Sequence, residues 1–135
     1  KKVVPVTEID DPLIIDPPRL INVDWSHNRL TFILSREVNQ KWTWAFQNMG
    51  DYSAVWGKGP EHFSIRGNQA VVGAEEHEVQ RIVDYFKSWL PNANRKYENI
   101  IRSEKKQAEE NLRKQLEREA REQEARERVL KNIKI

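Results

Sequence analysis

The sequence predicts a small α+β domain, two β-hairpins each followed by a helix (β-β-α-β-β-α), with a long charged helix at the C-terminus. Three observations point there. Two short β-rich runs are each broken by a polar or Gly-containing turn, at residues 19 to 35 and 62 to 73. Two stretches after them place apolar residues at helical spacing. From about residue 103 onward the chain is dense in charge and holds neither Gly nor Pro.

Residues 1 to 18, KKVVPVTEIDDPLIIDPP, carry Pro5, Pro12, Pro17 and Pro18. Proline removes a ladder donor and favours extended backbone, so this stretch reads as a linker. Its apolar pair Ile14-Ile15 is expected to dock as an edge strand, with disorder as the competing reading. The chain opens on Lys1-Lys2 rather than Met, the pattern expected of a segment of a longer protein.

RLINVDW (19 to 25) and RLTFILS (29 to 35) flank the polar SHN and form the first predicted hairpin. Phe32-Ile33-Leu34 is apolar on both faces, which places the second strand centrally in the sheet. Ser35 then stands where a helix N-cap belongs, and Val38, Trp42, Phe46 and Met49 follow at steps of four, four and three before Gly50. Residues 36 to 49 therefore predict a helix with Trp42 and Phe46 inward. The rival is a strand with Trp42, Trp44 and Phe46 on one face; the four-residue stripe and the punctuation at both ends favour the helix.

GDYSAVWGKGPE (50 to 61) reads as a Gly-rich loop around Trp56. HFSIR-GN-QAVVG predicts the second hairpin, with Phe63, Ile65, Val71 and Val72 as its apolar positions. Val79, Ile82, Val83, Phe86, Trp89 and Leu90 then trace one helical face. Glu75, Glu76 and Glu78 favour the positive N-terminal end of that helix. Pro91 is expected to end it, with Asn92 or Asn94 capping the next. The globular domain is thus assigned to residues 19 to 102 and the extended helix to 103 to 135.

The tail repeats Glu before Lys or Arg at i,i+4, as in Glu109 and Arg113 or Glu117 and Arg121, the favourable orientation on a helix. Residues 95 to 135 hold 13 of the 23 Lys/Arg and 9 of the 21 Asp/Glu, a net of +4, which leaves −2 for the first 94 residues. Because both signs alternate, the local field largely cancels, which is unlike a basic nucleic-acid arm. Ala108, Leu112, Leu116 and Ala120 step by four and so drift around the helix rather than keeping a coiled-coil seam. A solvated spacer, a weak coiled coil and a docking face for a partner helix all fit this pattern.

Function classes narrow by chemistry. The chain has no cysteine, which removes disulfides, thiolate nucleophiles and Cys-type zinc sites. It also fits a reducing compartment, so a cytoplasmic location is expected. No apolar run reaches the ~20 residues that span a bilayer. His27, His62 and His77 lack zinc-ligand spacing; EEHE at 75 to 78 points its side chains in different directions on a helix. GKGP at 57 to 60 is not a phosphate loop, because Lys58 follows a single Gly and precedes Gly59-Pro60, so a tight turn is expected. No Gly-x-Ser-x-Gly elbow occurs. No catalytic residue, metal ligand or cofactor site is assigned.

What remains is the aromatic cluster. With Trp42 inward on a helix, Trp44 lies roughly 200° around it, facing out. Trp44, Tyr52 and Trp56, with Lys58 and Arg66 nearby, are the candidate contact residues, and Leu112 and Leu116 are those of the tail. The function expected is a non-enzymatic interaction or scaffolding module that meets a protein partner or self-associates through the C-terminal helix. The alternative is a nucleic-acid-associated domain using exposed aromatics and cations, against which the acidic balance of the first 94 residues argues. A small enzyme fragment without a recognisable motif is the third reading.

Overall fold

A computed structural model describes residues 9–135 of the chain. They form two units, Asp10–Ile100 and the tail Ile101–Ile135 with Ile9. The first unit begins with a helical turn, α1 (Pro12–Ile15), where an edge strand was expected for Ile14-Ile15. The reason is local: the Asp11 carboxylate caps the turn by accepting from the Leu13 amide at 2.9 Å, and Pro12 takes the first helical position, where its missing N–H costs nothing. Leu13 and Pro18 are buried. Residues 1 to 8 of the Pro-rich stretch lie outside the described residues.

Strands β1 (Leu20–Ser26), β2 (Arg29–Leu34), β3 (Ser64–Arg66) and β4 (Gln69–Gly73) build one antiparallel sheet in the order β1-β2-β4-β3. The two hairpins predicted from sequence are both present, and β2 is central as expected. His27 and Asn28 join β1 to β2 with φ of 52° and 58°, the left-handed pair that a two-residue type I′ turn requires. Gly67, at φ 60°, opens the β3–β4 turn. Register assigns the two faces. Leu30, Phe32 and Leu34 of β2 share a buried face with Ala70 and Val72 of β4, while Arg29, Thr31 and Ile33 face the other way with Gly73, Val71 and Gln69.

The buried face is covered by α2 (Gln40–Gln47) and the start of α3 (Val79–Lys131). Phe32 stacks on Phe86 with ring centroids 4.0 Å apart, and Phe46 meets Phe63 edge-on at 5.7 Å. Trp42, Phe86 and Trp89 are essentially inaccessible. Aromatic rings therefore supply much of the core of a small domain. Their polar edges are satisfied: Trp42 Nε1 donates to Asn94 Oδ1 at 2.8 Å, and the Tyr97 hydroxyl donates to Asp11 Oδ2 at 2.7 Å.

Three boundary expectations are corrected. The helix α2 is helical as predicted but shorter than 36 to 49. Asn39, not Ser35, caps it by accepting from the Trp42 amide at 2.8 Å, and it stops at Asn48. Ser35 instead extends strand pairing, its amide donating to the Arg19 carbonyl at 2.7 Å. Pro91 does not end a helix; α3 continues through it. Both Pro91 and Lys87 are exposed, so the Lys87 carbonyl that loses its intrahelical donor faces water, and the ring crowds only the outer side. Asn92 and Asn94 accordingly cap nothing.

The start of α3 is organised by the glutamates singled out above. Glu75 and Glu78 form a reciprocal capping box across a 3₁₀ turn, Glu76–Glu78. In the tail unit the helix continues to Lys131. Arg113 pairs there with Glu110 and, at 2.7 Å, with Glu117. The pair holds the Glu110 carboxyl below its usual range and raises the Arg113 guanidinium, in both cases first through their hydrogen bond. Among the described residues no helix is long and apolar enough to cross a membrane.

Candidate interaction site

The loop between α2 and β3 is fixed from below. Trp89 Nε1, from the core, donates to the Ser53 carbonyl at 2.9 Å. The Tyr52 ring meets Trp89 edge-on at 6.2 Å, and its hydroxyl donates to the Glu61 carboxylate. That hydrogen bond, with burial and the Glu61 charge adding to it, holds the Tyr52 phenol above the ordinary tyrosine pKa. Gly59 lies directly against this pair: a Cβ there would come within 2.8 Å of Tyr52 Cε1. Val55 and Pro60 are buried on either side.

Between these anchors Trp56 stands out. The Lys58 amide donates to the Val55 carbonyl at 2.9 Å and Gly57 takes φ 74°, which makes residues 55 to 58 a type II β-turn. Trp56 occupies its second position and is 95% exposed. The GKGP stretch is thus the tight turn the sequence predicts, and Gly57 is needed for its positive φ.

Lys58 leads back to the sheet. Its Nζ lies 3.9 Å from where a Cβ on Gly73 would stand, and the Asn28 carbonyl lies equally near that point. The Ala74 amide donates to the Asn28 carbonyl at 2.9 Å, and the Ala74 carbonyl accepts from Trp25 Nε1 at 2.9 Å. The Lys58 side chain, the His27-Asn28 turn and the partly exposed Trp25 therefore share the Gly73 end of the sheet.

Trp44 is elsewhere. It projects from α2 away from Trp42, 53% exposed, with Lys96 Nζ 5.2 Å from its ring centroid in a cation–π contact. It borders a shallow groove with Val38, Ile65 and Gly67, at the opposite end of the β3–β4 hairpin from Gly73. Arg66 takes a third position, on the open face of the sheet opposite Gln69. In the tail unit Leu112 is half-buried and Leu116 is 56% exposed.

The candidates of the globular part thus divide between the Trp56 turn, the Trp44 groove and the open sheet face. Trp25 and Arg29 were missed by sequence reasoning. Their signal was the period of two across the first hairpin, which puts Trp25 and Leu30 on one face and Arg29 on the other. Among the described residues no group of three or more His, Asp or Glu side chains is placed to hold a metal ion. His62 and His77 instead lie 3.6 Å from the neighbouring carboxylates of Glu61 and Glu75. Comparison with known protein families, curated proteins and solved structures finds no match to this chain.

Proposed function

We propose that the chain is a non-enzymatic protein-interaction module whose principal contact is Trp56, with the charged C-terminal helix serving as a spacer or assembly element. One observation carries this reading: an indole 95% exposed at the tip of a turn whose backbone is pinned on both sides. A Trp side chain offers roughly 150–250 Å² of contact area, and leaving it bare forgoes the free energy of burial. A flexible loop would pay ordering entropy to present that ring to a partner. A turn held by Val55, Gly59 and Pro60 has paid it during folding. Tryptophan is also the side chain most enriched among residues that dominate binding energy. The ion-paired, polar tail supports the second part of the reading, since such a helix draws on side-chain pairs of its own rather than on a core.

The test is site-specific photocrosslinking in the native cell. A photoreactive phenylalanine analogue at position 56 should trap a discrete protein adduct, and the same group at the exposed position Gln80 should not. Equal, diffuse labelling from both positions would overturn the reading. Trp56→Ala should remove the interaction while leaving the denaturation midpoint within about 0.5 kcal/mol of the parent, as expected of a surface change.

A further inference from the structure

We infer that the open face of the sheet binds an extended acidic peptide segment, with carboxylates four residues apart and an apolar residue midway. This rests on the reading of the chain as an interaction module but uses a different surface from the Trp56 ring. The helices cover one face of the sheet, so Arg29, Val71, Gly73 and Arg66 stand on the other. Arg29 lies opposite Gly73 and Arg66 lies opposite Gln69, so the two guanidinium groups flank β4 at its two ends. Gly73 has no side chain to fill the space beside Arg29, and Lys58 Nζ stands over that gap. Arg29, Arg66 and Gly73, with His62, line one open groove of about 490 Å³ whose floor includes Val71, and Lys58 Nζ stands at its Gly73 end.

Charge complementarity selects the occupant. Among the described residues, Arg29, Lys58 and Arg66 have no ion-pair partner, while the strands place a single carboxylate on this face, Asp24 opposite Thr31. Guanidinium groups recognise carboxylate and phosphate alike. The strands put no aromatic ring on this face, so nothing there would stack a nucleobase, which is what single-strand binders rely on. Spacing supports a peptide. Positions 69 and 73 are about 13 Å apart along a strand, and an extended peptide presents residues i and i+4 on one face at the same interval, with i+2 between them. Laid along β4, such a peptide brings one carboxylate to Arg66, one to Arg29 and Lys58, and its central side chain onto Val71.

The experiment uses the full chain and a short fluorescent peptide with glutamates four residues apart and a valine midway, read by anisotropy at physiological salt. Saturable binding is expected. Arg29→Ser combined with Arg66→Ser should weaken it about tenfold, as two exposed charge pairs would. Gly73→Asp, which has room for its Cβ and sets a carboxylate beside Lys58, should weaken it as well. Trp56→Ala should leave it within about twofold, so loss of the Trp56 crosslink and loss of peptide binding report separately. Binding that does not saturate, or that ignores the Arg29 and Arg66 changes in a protein with an unaltered melting curve, overturns the inference. So does an oligonucleotide that binds this face more tightly than the peptide and with a steeper dependence on salt.

Discussion

The indole N–H of Trp89 donates to the carbonyl of Ser53 at 2.9 Å, joining the most deeply packed face of α3 to the loop that presents Trp56. Trp89 is 1% exposed and touches Phe46, Phe63 and Phe86. One side chain thus belongs to the core and to the support of the contact turn. Trp89→Phe keeps a ring but removes the donor and leaves a small void. It should cost about 1–3 kcal/mol. It should also speed hydrogen exchange at the Lys58 amide, which closes the turn onto Val55. A lower midpoint with unchanged exchange at Lys58 would show that the turn is held independently of Trp89.

Pro91 within α3 sets up a second expectation. It removes a backbone hydrogen bond, and α3 absorbs the loss on an exposed side. Pro91→Ala restores the donor to the Lys87 carbonyl and a better helix former, partly offset by a freer unfolded chain. The denaturation midpoint should rise, by about 1–3 kcal/mol in stability. A fall would mean that the backbone geometry proline fixes is required for Leu90 and Ala93 to stay in the core.

Tyr52 gives the domain a dependence on alkaline pH. Its folded pKa lies above the ordinary 10.0 because its hydroxyl donates to Glu61, with burial and the Glu61 charge acting in the same direction. The folded domain therefore holds this proton more tightly than the unfolded chain does. The stability it contributes is whole below about pH 10 and is lost as pH rises through the higher, folded value. Denaturation midpoints measured across that range should fall less steeply in Tyr52→Phe. In Glu61→Ala, the phenolate absorbance of Tyr52 should develop at lower pH. An unshifted titration in Glu61→Ala would refute the assignment of Glu61 as the cause.

Much of this fold was legible because its signals are local. Two turns with the residues that tolerate left-handed backbone, His27-Asn28 and Gly67, sit between β-rich runs, and the Val79-to-Leu90 stripe has a single helical solution. The errors fall where tertiary contacts choose between local options. Ser35 and Asn39 are both able caps, and pairing of Ser35 with Arg19 decides between them. Pro91 reads as a stop unless one knows that its face is the solvent side. For the site, exposure of Trp44 followed from its angle relative to Trp42, and exposure of Trp56 from its Gly-rich surroundings. That Trp44 borders a groove with Ile65 and Gly67 depends on how α2 packs against the β3–β4 hairpin, which pattern does not encode. On the open face Lys58 and Arg66 were legible as candidates, but their meeting with Arg29 was not, because it depends on β4 pairing with both β2 and β3.

The tail supplies the last prediction, that the domain folds without it. Among the described residues the buried apolar side chains run from Leu13 to Ile101, and none lies beyond Ile101. From Ser103 on the helix is built mainly of charged and amide side chains, with pairs such as Arg113–Glu117 and Gln115–Glu119 along its surface. Such exposed pairs are weak singly and are screened by salt, so tail helicity should fall as ionic strength rises while the near-ultraviolet tryptophan signal of the domain stays constant. Deleting residues 104 to 135 should leave that signal and the cooperativity of melting intact. Unfolding of the truncated chain would show that the tail is part of the core, and the spacer reading would fall. With the domain intact, sedimentation of the full chain then separates the two uses of the tail. At about 1.5 Å per residue, residues 101 to 131 reach roughly 45 Å, enough to hold two bodies well apart. A monomer at all concentrations identifies the helix as that spacer. A concentration-dependent dimer abolished by Leu112→Glu identifies Leu112 and the half-exposed Leu116 as an assembly seam, because a carboxylate there would be buried without a partner.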